Sequence, residues 1–323
     1  MKHLITATIL AAGFTATAHA QTFTAETGNP TGMTNLSTQV IANYSDIDMQ
    51  INSGQTLTKA CMNVATGKVD VAVCPPTAYN AMTRGAGPFK NNAEEAMAAS
   101  ENVRALYGFT NGIFHAIVRA TSSIETFDDF AGRRVFTGPP AGAANAQAQS
   151  IIGASSGLVG GQDFEVVRLG WGAAIQAFQD NQFEAFMFPS AVGNAAIEQL
   201  GEIRLIDLPD SALDTDVWAK FSAGGSNTVG VIPAGTYSNV VNEGEVQGAE
   251  NFMQTTVHKD MSDDDAYALT KAFWENLDKA KGDIRVLAPV SIENAFTGMS
   301  AKLHPGAMRY YEEVGVTIPD AVK

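Results

Sequence analysis

Short apolar runs alternate with longer segments of mixed polarity along most of this chain, a pattern that predicts strands joined by helices. Residues 22–27, 49–51 and 69–74 have strand length, and residues 55–66, between the second and third, have the spacing of a helix. Glycine or proline follows each strand, at Gly28, Gly54 and Pro75-Pro76. A second block repeats the pattern with predicted strands at 114–119, 134–137, 165–169, 184–188 and 203–207. Turn chemistry follows again, at Gly138-Pro139-Pro140-Ala141-Gly142, Gly170-Trp171-Gly172 and Phe188-Pro189-Ser190. Residues 252–258 then read as a strand returning to the first block, which helices at 263–280 and 305–313 complete. The expected architecture is α/β in two lobes with two crossing strands: residues 21–115 plus 251–323 in lobe 1, and 116–250 in lobe 2. Ligands of open α/β sheets bind at the carboxyl ends of strands, so the loops after the strands are the first place to look for function.

The beginning of the chain has a different pattern. Met1-Lys2-His3, an apolar run from Leu4 to Phe14, and Ala18-His19-Ala20 describe a secretory signal peptide over residues 1–20, cut before Gln21. Thr6, Thr8, Thr15 and Thr17 interrupt the run, which falls short of the ~20 apolar residues that a membrane anchor needs. No cysteine follows the cleavage region, so a lipid anchor on an N-terminal cysteine has no attachment point. The expected mature chain is periplasmic and soluble. It would carry 19 basic against 34 acidic residues, a net charge of −15. That sign argues against nucleic acid or anionic lipid as the main partner, because both attract basic patches. A small anion is not excluded, since it responds to the local dipoles of its cleft. Cys61 and Cys74 are the only cysteines; export permits a disulfide, and two reduced, packed thiols fit equally well.

Several motifs suggest chemistry and are better explained by structure. Gly153-Ala154-Ser155-Ser156-Gly157 fits G-x-S-x-G, but a nucleophile elbow needs a strand before the serine. Here an Ala/Gln-rich helix over 143–154 precedes it, so Gly157 reads as a helix stop. His115, His258 and His304 are far apart in sequence, with no metal-ligand spacing, and no metal or cofactor is expected. His115 and His258 fall in the crossing strands and His304 at a helix entrance. Ser262-Asp263-Asp264-Asp265 reads as a helix N-cap with acids in the first turn. A secreted hydrolase or lyase in the same cleft is the rival class. It would need a convergent base, nucleophile and orienting group, and the sequence offers none.

The order of segments resembles the TAXI family, the solute receptors of TRAP transporters, over nearly all of the predicted mature chain. The resemblance is carried by Asp129-Phe130-Ala131-Gly132-Arg133-Arg134-Val135 with Gly138-Pro139-Pro140, by Ile232-Pro233-Ala234-Gly235-Thr236-Tyr237, by the stretch from Tyr267 to Asn276, and by Leu303-His304-Pro305-Gly306-Ala307-Met308-Arg309-Tyr310-Tyr311. It implies a two-lobed periplasmic binding protein of type II-like fold that closes on an organic acid or amino acid and presents it to membrane subunits. The ligand loops depart from the family pattern. The family's T-G-G-T-G-G-T-Y-Y is here Thr27-Gly28-Asn29-Pro30-Thr31-Gly32-Met33-Thr34-Asn35, and its G-P-P-G-S-G-T is Gly138-Pro139-Pro140-Ala141-Gly142-Ala143-Ala144. A polar Q-S-D stretch becomes Cys74-Pro75-Pro76. These departures bear on which ligand is bound.

The expected ligand contacts follow from the loops. Asn29, Thr31, Thr34 and Asn35, with Gln55, Thr56 and Thr77, would orient a small polar ligand from lobe 1. From lobe 2, Ala141, Gly142 and Ala143 would offer backbone groups, Trp171 an apolar wall and Ser190 a hydroxyl, with Asn145 and Arg168 as further candidates. Amide groups at helix starts would receive the ligand's carboxylate.

Overall fold

The computed structural model describes residues 22–225 and 227–323, so the predicted leader and its cleavage site lie outside the described residues. In chain order the elements are β1 (Phe23–Glu26), α1 (Met33–Tyr44), β2 (Met49–Asn52), α2 (Leu57–Ala65), β3 (Val71–Cys74), α3 (Pro76–Thr83), α4 (Ala93–Ser100) and β4 (Val103–Arg119). There follow β5 (Arg134–Phe136), α5 (Ala143–Ser156), β6 (Glu165–Val166), α6 (Trp171–Gln179), β7 (Ala185–Ser190), α7 (Ala195–Glu198) and β8 (Ile203–Leu205). The chain closes with α8 (Asp210–Leu213), α9 (Asp216–Phe221), β9 (Asn227–Ile232), β10 (Val246–His258), α10 (Asp263–Asp283) and α11 (Pro305–Glu313).

The sheet runs β2-β1-β3-β10-β4-β7-β5-β6, with β8 added on β4 and β9 on β10. Its two ends are parallel, β1 with β2 and β3, and β5 with β6 and β7. Its middle is antiparallel, because β4 and β10 pass each other from lobe to lobe. Both crossing strands are longer than the sequence predicts, 17 and 13 residues where six and seven were expected. Gly108, Thr110, Asn111 and Gly112 break the apolar pattern of β4 at its centre, which hides its continuity. Conversely, β6 stops at Val166 instead of reaching Leu169.

The core divides where the strands cross. Phe23, Val40, Ile41, Val71, Val73, Tyr107, Leu269, Phe273, Leu277 and Tyr311 belong to one cluster in lobe 1. Its centre is aromatic: Tyr107 stacks on Phe273 at 3.8 Å between centroids, and Trp274 Nε1 donates to the Tyr311 hydroxyl at 3.0 Å. The Tyr311 hydroxyl donates in turn to the Leu106 carbonyl, which pins α11 to β4. A disulfide joins Cys61 on α2 to Cys74 at the end of β3, with Cα atoms 5.0 Å apart. Lobe 2 has two smaller clusters, one around Val135, Ile151, Ile152 and Phe164. The other is built on Phe136, Phe178, Phe183, Phe186 and Phe188. Each such side chain contributes about 1.5–3 kcal/mol on burial.

Local signals decide the helix ends. Ser262 caps α10 by accepting from the Asp265 amide at 3.0 Å, and His304 Nδ1 caps α11 by accepting from Gly306. Gly157 ends α5 with φ +74°, and Ser155 Oγ is spent on the Ile151 carbonyl. The G-x-S-x-G match is therefore the last turn of a helix.

Candidate functional site

The carboxyl ends of β1, β3 and β7 and the starts of α1, α2, α5 and α6 meet in one recess between the lobes. Lobe 1 supplies Asn29, Gly32, Thr34, Gln55, Thr56 and Leu57; lobe 2 supplies Pro139, Gly142, Ala143, Trp171, Phe188, Ser190 and Asn194. The recess holds about 660 Å³ of non-atom space out to its mouth, but only about 60 Å³ is open to the centre of a water molecule. A single water needs about 10–15 Å³ of such space. The lobes thus meet closely, leaving room for a few waters or a compact ligand.

Hydrogen bonds across the recess hold them there. Thr58 Oγ1, in lobe 1, donates to the Ala141 carbonyl at 2.9 Å, and Asn194 Nδ2, in lobe 2, donates to the Thr31 carbonyl at 3.3 Å. Ala141 accepts because its backbone is turned to φ +59°, a left-handed conformation rare for a residue with a Cβ. At the hinge, Gly112 has φ +104°, and a Cβ there would lie 2.1 Å from the Ser190 carbonyl oxygen. Only glycine lets β4 pass so near the end of β7, and this passage sets the position of Ser190.

The floor of the recess is amide. Asn111 Nδ2 on β4 donates to Asn251 Oδ1 on β10 at 3.2 Å. Asn251 Nδ2 donates to Gln147 Oε1 on α5 at 3.5 Å, and Gln147 Nε2 to Asn227 Oδ1 at 3.2 Å. All four are buried, and Asn111, Gln147 and Asn251 line the recess. Against this chain stand Asn29 Nδ2 and Ser190 Oγ, buried and without a hydrogen-bond partner. Leaving such groups unpaired costs about 1–3 kcal/mol each, so they are poised to receive an acceptor.

The helix starts share the same readiness. The N-caps of α1, α2 and α5 are Gly32, Thr56 and Gly142; none makes a side-chain cap, and no acid lies in any of the three first turns. A helix cannot satisfy its own first N–H groups, which carry the positive end of its dipole.

A pillar at the boundary of the lobes fixes the Ser190–Asn194 loop. His115 is fully buried on β4; its Nδ1 bonds the Ile113 carbonyl and its Nε2 meets the Tyr237 hydroxyl, both at 2.9 Å. That hydroxyl accepts from the Gly193 amide at 2.9 Å. Burial pushes the imidazole pKa down to about 4, so His115 is neutral, and burial pushes the Tyr237 hydroxyl up to about 12.

Of the residues singled out from sequence, Asn29, Thr34, Gln55, Thr56, Gly142, Ala143, Trp171 and Ser190 line the recess. Six do not. Asn35 lies beneath the first loop, accepting from Thr27 Oγ1 and donating to the Pro30 carbonyl. Thr31 is exposed, bonding Asn29 Oδ1 through its side chain. Thr77 is half-buried on α3 with its hydroxyl unpartnered. Ala141, Asn145 and Arg168 line a different, open groove of lobe 2 beside Gln149 and Glu165. Asn145 is held there by Thr137 Oγ1 and Gln149 Nε2. Arg168 is carried out to that groove because β6 ends two residues before it. Sequence reasoning missed Asn111, Gln147, Asn194 and Asn251. The available signal was an Asn interrupting each crossing strand, and Gln147 one helical turn beyond Ala143.

The sequence matches the NMT1-like family over residues 30–315. The chain belongs to the NMT1-like family. This NMT1-like protein is similar in fold to a protein from Bordetella bronchiseptica RB50, at 16% identity and a TM-score of 0.52, over 93% of this chain and 85% of that one. Lower likeness links it to two liganded structures. One is a TRAP periplasmic solute binding protein from Desulfovibrio salexigens with bound orotic acid, 10% identical over 93% of this chain and 86% of that one, TM-score 0.45. The other is the alkanesulfonate-binding protein from Xanthomonas axonopodis pv. citri bound to MOPS, 14% identical over 91% and 83%, TM-score 0.46. Among the described residues, no group of three or more His, Cys, Asp or Glu could hold a metal ion, and no helix is long and apolar enough to cross a membrane.

Proposed function

We propose that this chain is the periplasmic solute receptor of a TAXI-type TRAP transporter, which captures one small polar, carboxylate-bearing ligand between its lobes and delivers it to the membrane subunits. One observation carries the reading: unpartnered buried donors from both lobes, Asn29 Nδ2 and Ser190 Oγ, line the same recess. The sequence resemblance to TAXI receptors and the uncapped helix starts support it. Lobe 1 is residues 21–115 with 251–323, lobe 2 is residues 116–250, and export proceeds through the cleaved leader at residues 1–20.

The mechanism is conformational. A ligand that touches both lobes binds the closed form better than the open one and shifts the population by that difference. Thr58–Ala141 and Asn194–Thr31 form only when the lobes meet, so closure and binding reinforce each other. The transporter membrane subunits then meet a surface that exists only in the loaded form.

A thermal-shift screen of carboxylates, sulfonates, amino acids and neutral compounds tests the reading. A ligand at ~100 times its Kd stabilises the native state by ~2.7 kcal/mol. Asn29→Ala combined with Ser190→Ala should abolish that shift while leaving the ligand-free protein folded. A shift that survives in the double variant, or chemical turnover of the bound compound, contradicts the receptor reading.

A further inference from the structure

The recess is rich in donors, and its acceptors are all neutral. Its free or uncapped groups donate: Asn29 Nδ2, the Ser190 hydroxyl and the first N–H groups of α1, α2 and α5. Gln55, Thr56 and Asn111 add neutral side-chain oxygens, while five others already accept. Asn29 Oδ1 accepts from Thr31, Asn194 Oδ1 from the Ala196 amide, Asn251 Oδ1 from Asn111, and Gln147 Oε1 from Asn251. Thr34 Oγ1 accepts from the Gly28 amide. Among the described residues, no Asp, Glu, Lys, Arg or His lines the recess.

Each absence of charge among these lining residues has a consequence. An ammonium group entering the recess would exchange its hydration for donors of its own sign and meet no carboxylate. A single anion would meet three positive helix ends and a nine-tenths buried, unpartnered Ser190. A second anionic charge would find no cationic side chain to neutralise it. The 60 Å³ of space open to water centres favours a short skeleton.

Resting on the receptor reading above, we infer that the recess selects small monoanions without an ammonium group, 2-hydroxy or 2-oxo monocarboxylates, and holds their charge with backbone N–H groups in place of a cationic side chain. The carboxylate accepts from the helix starts, and the hydroxyl or oxo oxygen accepts from Asn29 Nδ2 and Ser190 Oγ. Trp171 and Phe188, whose rings lie 5.7 Å apart, cover the carbon skeleton. The amino acids that the TAXI resemblance admits are thereby set aside.

Matched probes test the inference by calorimetry at pH 7: lactate, alanine and lactamide as one set, and 2-hydroxy-3-methylbutanoate, valine and 2-hydroxy-3-methylbutanamide as another. In at least one set the acid should bind at least tenfold more tightly than its amino acid and its amide. Equal or tighter binding by the amino acid or the amide overturns the inference, as does failure of both acids to bind. The receptor reading fails separately, if no small molecule binds in a manner that depends on Asn29 and Ser190.

A variant provides the second arm. Thr56→Asp places a carboxylate at the uncapped start of α2, where it favours the helix and opposes a bound anion. The ligand-free melting temperature should stay level or rise, while affinity for the acid falls at least tenfold. Thr56→Asn, which caps the same N–H groups without the charge, should weaken acid binding less than Thr56→Asp does. Undiminished acid binding by Thr56→Asp overturns the inference.

Discussion

The two lobes face the same recess with different materials. Lobe 1 has one large core with a small satellite at Ala60, Val64, Val69 and Ala72, is braced by the Cys61–Cys74 disulfide and by the 21-residue helix α10, and presents amides and hydroxyls: Asn29, Thr34, Gln55 and Thr56. Lobe 2 has two smaller cores, no disulfide and a cluster of phenylalanines, and it presents Pro139, Trp171, Phe188 and Pro189 beside Ser190 and Asn194. Lobe 1 therefore sets where hydrogen bonds are made, and lobe 2 excludes water and contributes the hydroxyl that completes them. The difference teaches that closure, rather than either lobe alone, builds the site. Ser190 and Asn29 belong to opposite lobes.

The largest effect should come from breaking the joint that both lobes share. Gly112→Ala forces a Cβ to 2.1 Å from the Ser190 carbonyl at φ +104°, and nothing but backbone movement relieves it. Urea unfolding should show a loss of about 4 kcal/mol or more, and a loss below 1 kcal/mol would show that the crossing is not rigid. Next comes a lobe 1 brace. Reducing the disulfide, which closes a loop with a sequence separation of 13, should lower stability by about 3 kcal/mol. Ligand affinity should change less than stability, because neither cysteine lines the recess.

The corresponding test at the boundary of the lobes, where His115 braces the Ser190–Asn194 loop of lobe 2, is acid. The His115 pKa is lowered in the folded protein to about 4 by burial, against the ordinary value of 6.5. Between those values the unfolded chain binds the proton and the folded one does not, so stability falls as pH drops from about 6.5 toward 4. By pH 5 the loss from this group should be about 2 kcal/mol. His304 is also lowered, chiefly by burial with Asp263 opposing, and adds to the slope with the same sign. His115→Gln should remove the larger part of the dependence; an unchanged slope would assign it elsewhere. The smallest effect tests the meeting of the lobes. Thr58→Val deletes the bond to the Ala141 carbonyl and nothing else polar, and should weaken ligand binding about fivefold through the loss of about 1 kcal/mol. Asn194→Ala should do the same from the other side.

Much of this arrangement is written locally. Strand–helix alternation, Gly157 as a stop, Ser262 and His304 as caps, and the loops at Asn29 and Gly142 all follow from short-range rules that the sequence carries. What escapes is long-range. Whether Cys61 meets Cys74 depends on how α2 packs on β3. Asn35 and Gln55 are similar polar residues near loop ends, yet the first turns inward to brace Thr27 and Pro30 while the second lines the recess. Arg168 reads from sequence equally as a carboxylate partner or as a surface cation, and β6 ends early and leaves it in another groove. Asn111 and Asn251 are 140 residues apart and meet only because β4 and β10 pair antiparallel through the hinge.

The most direct test of the central claim is a crystal structure of the protein with a ligand that gives a thermal shift. The ligand should lie between the lobes, with acceptor atoms within about 3.2 Å of both Asn29 Nδ2 and Ser190 Oγ. A ligand bound to one lobe alone, or in the open groove beside Arg168, would contradict it.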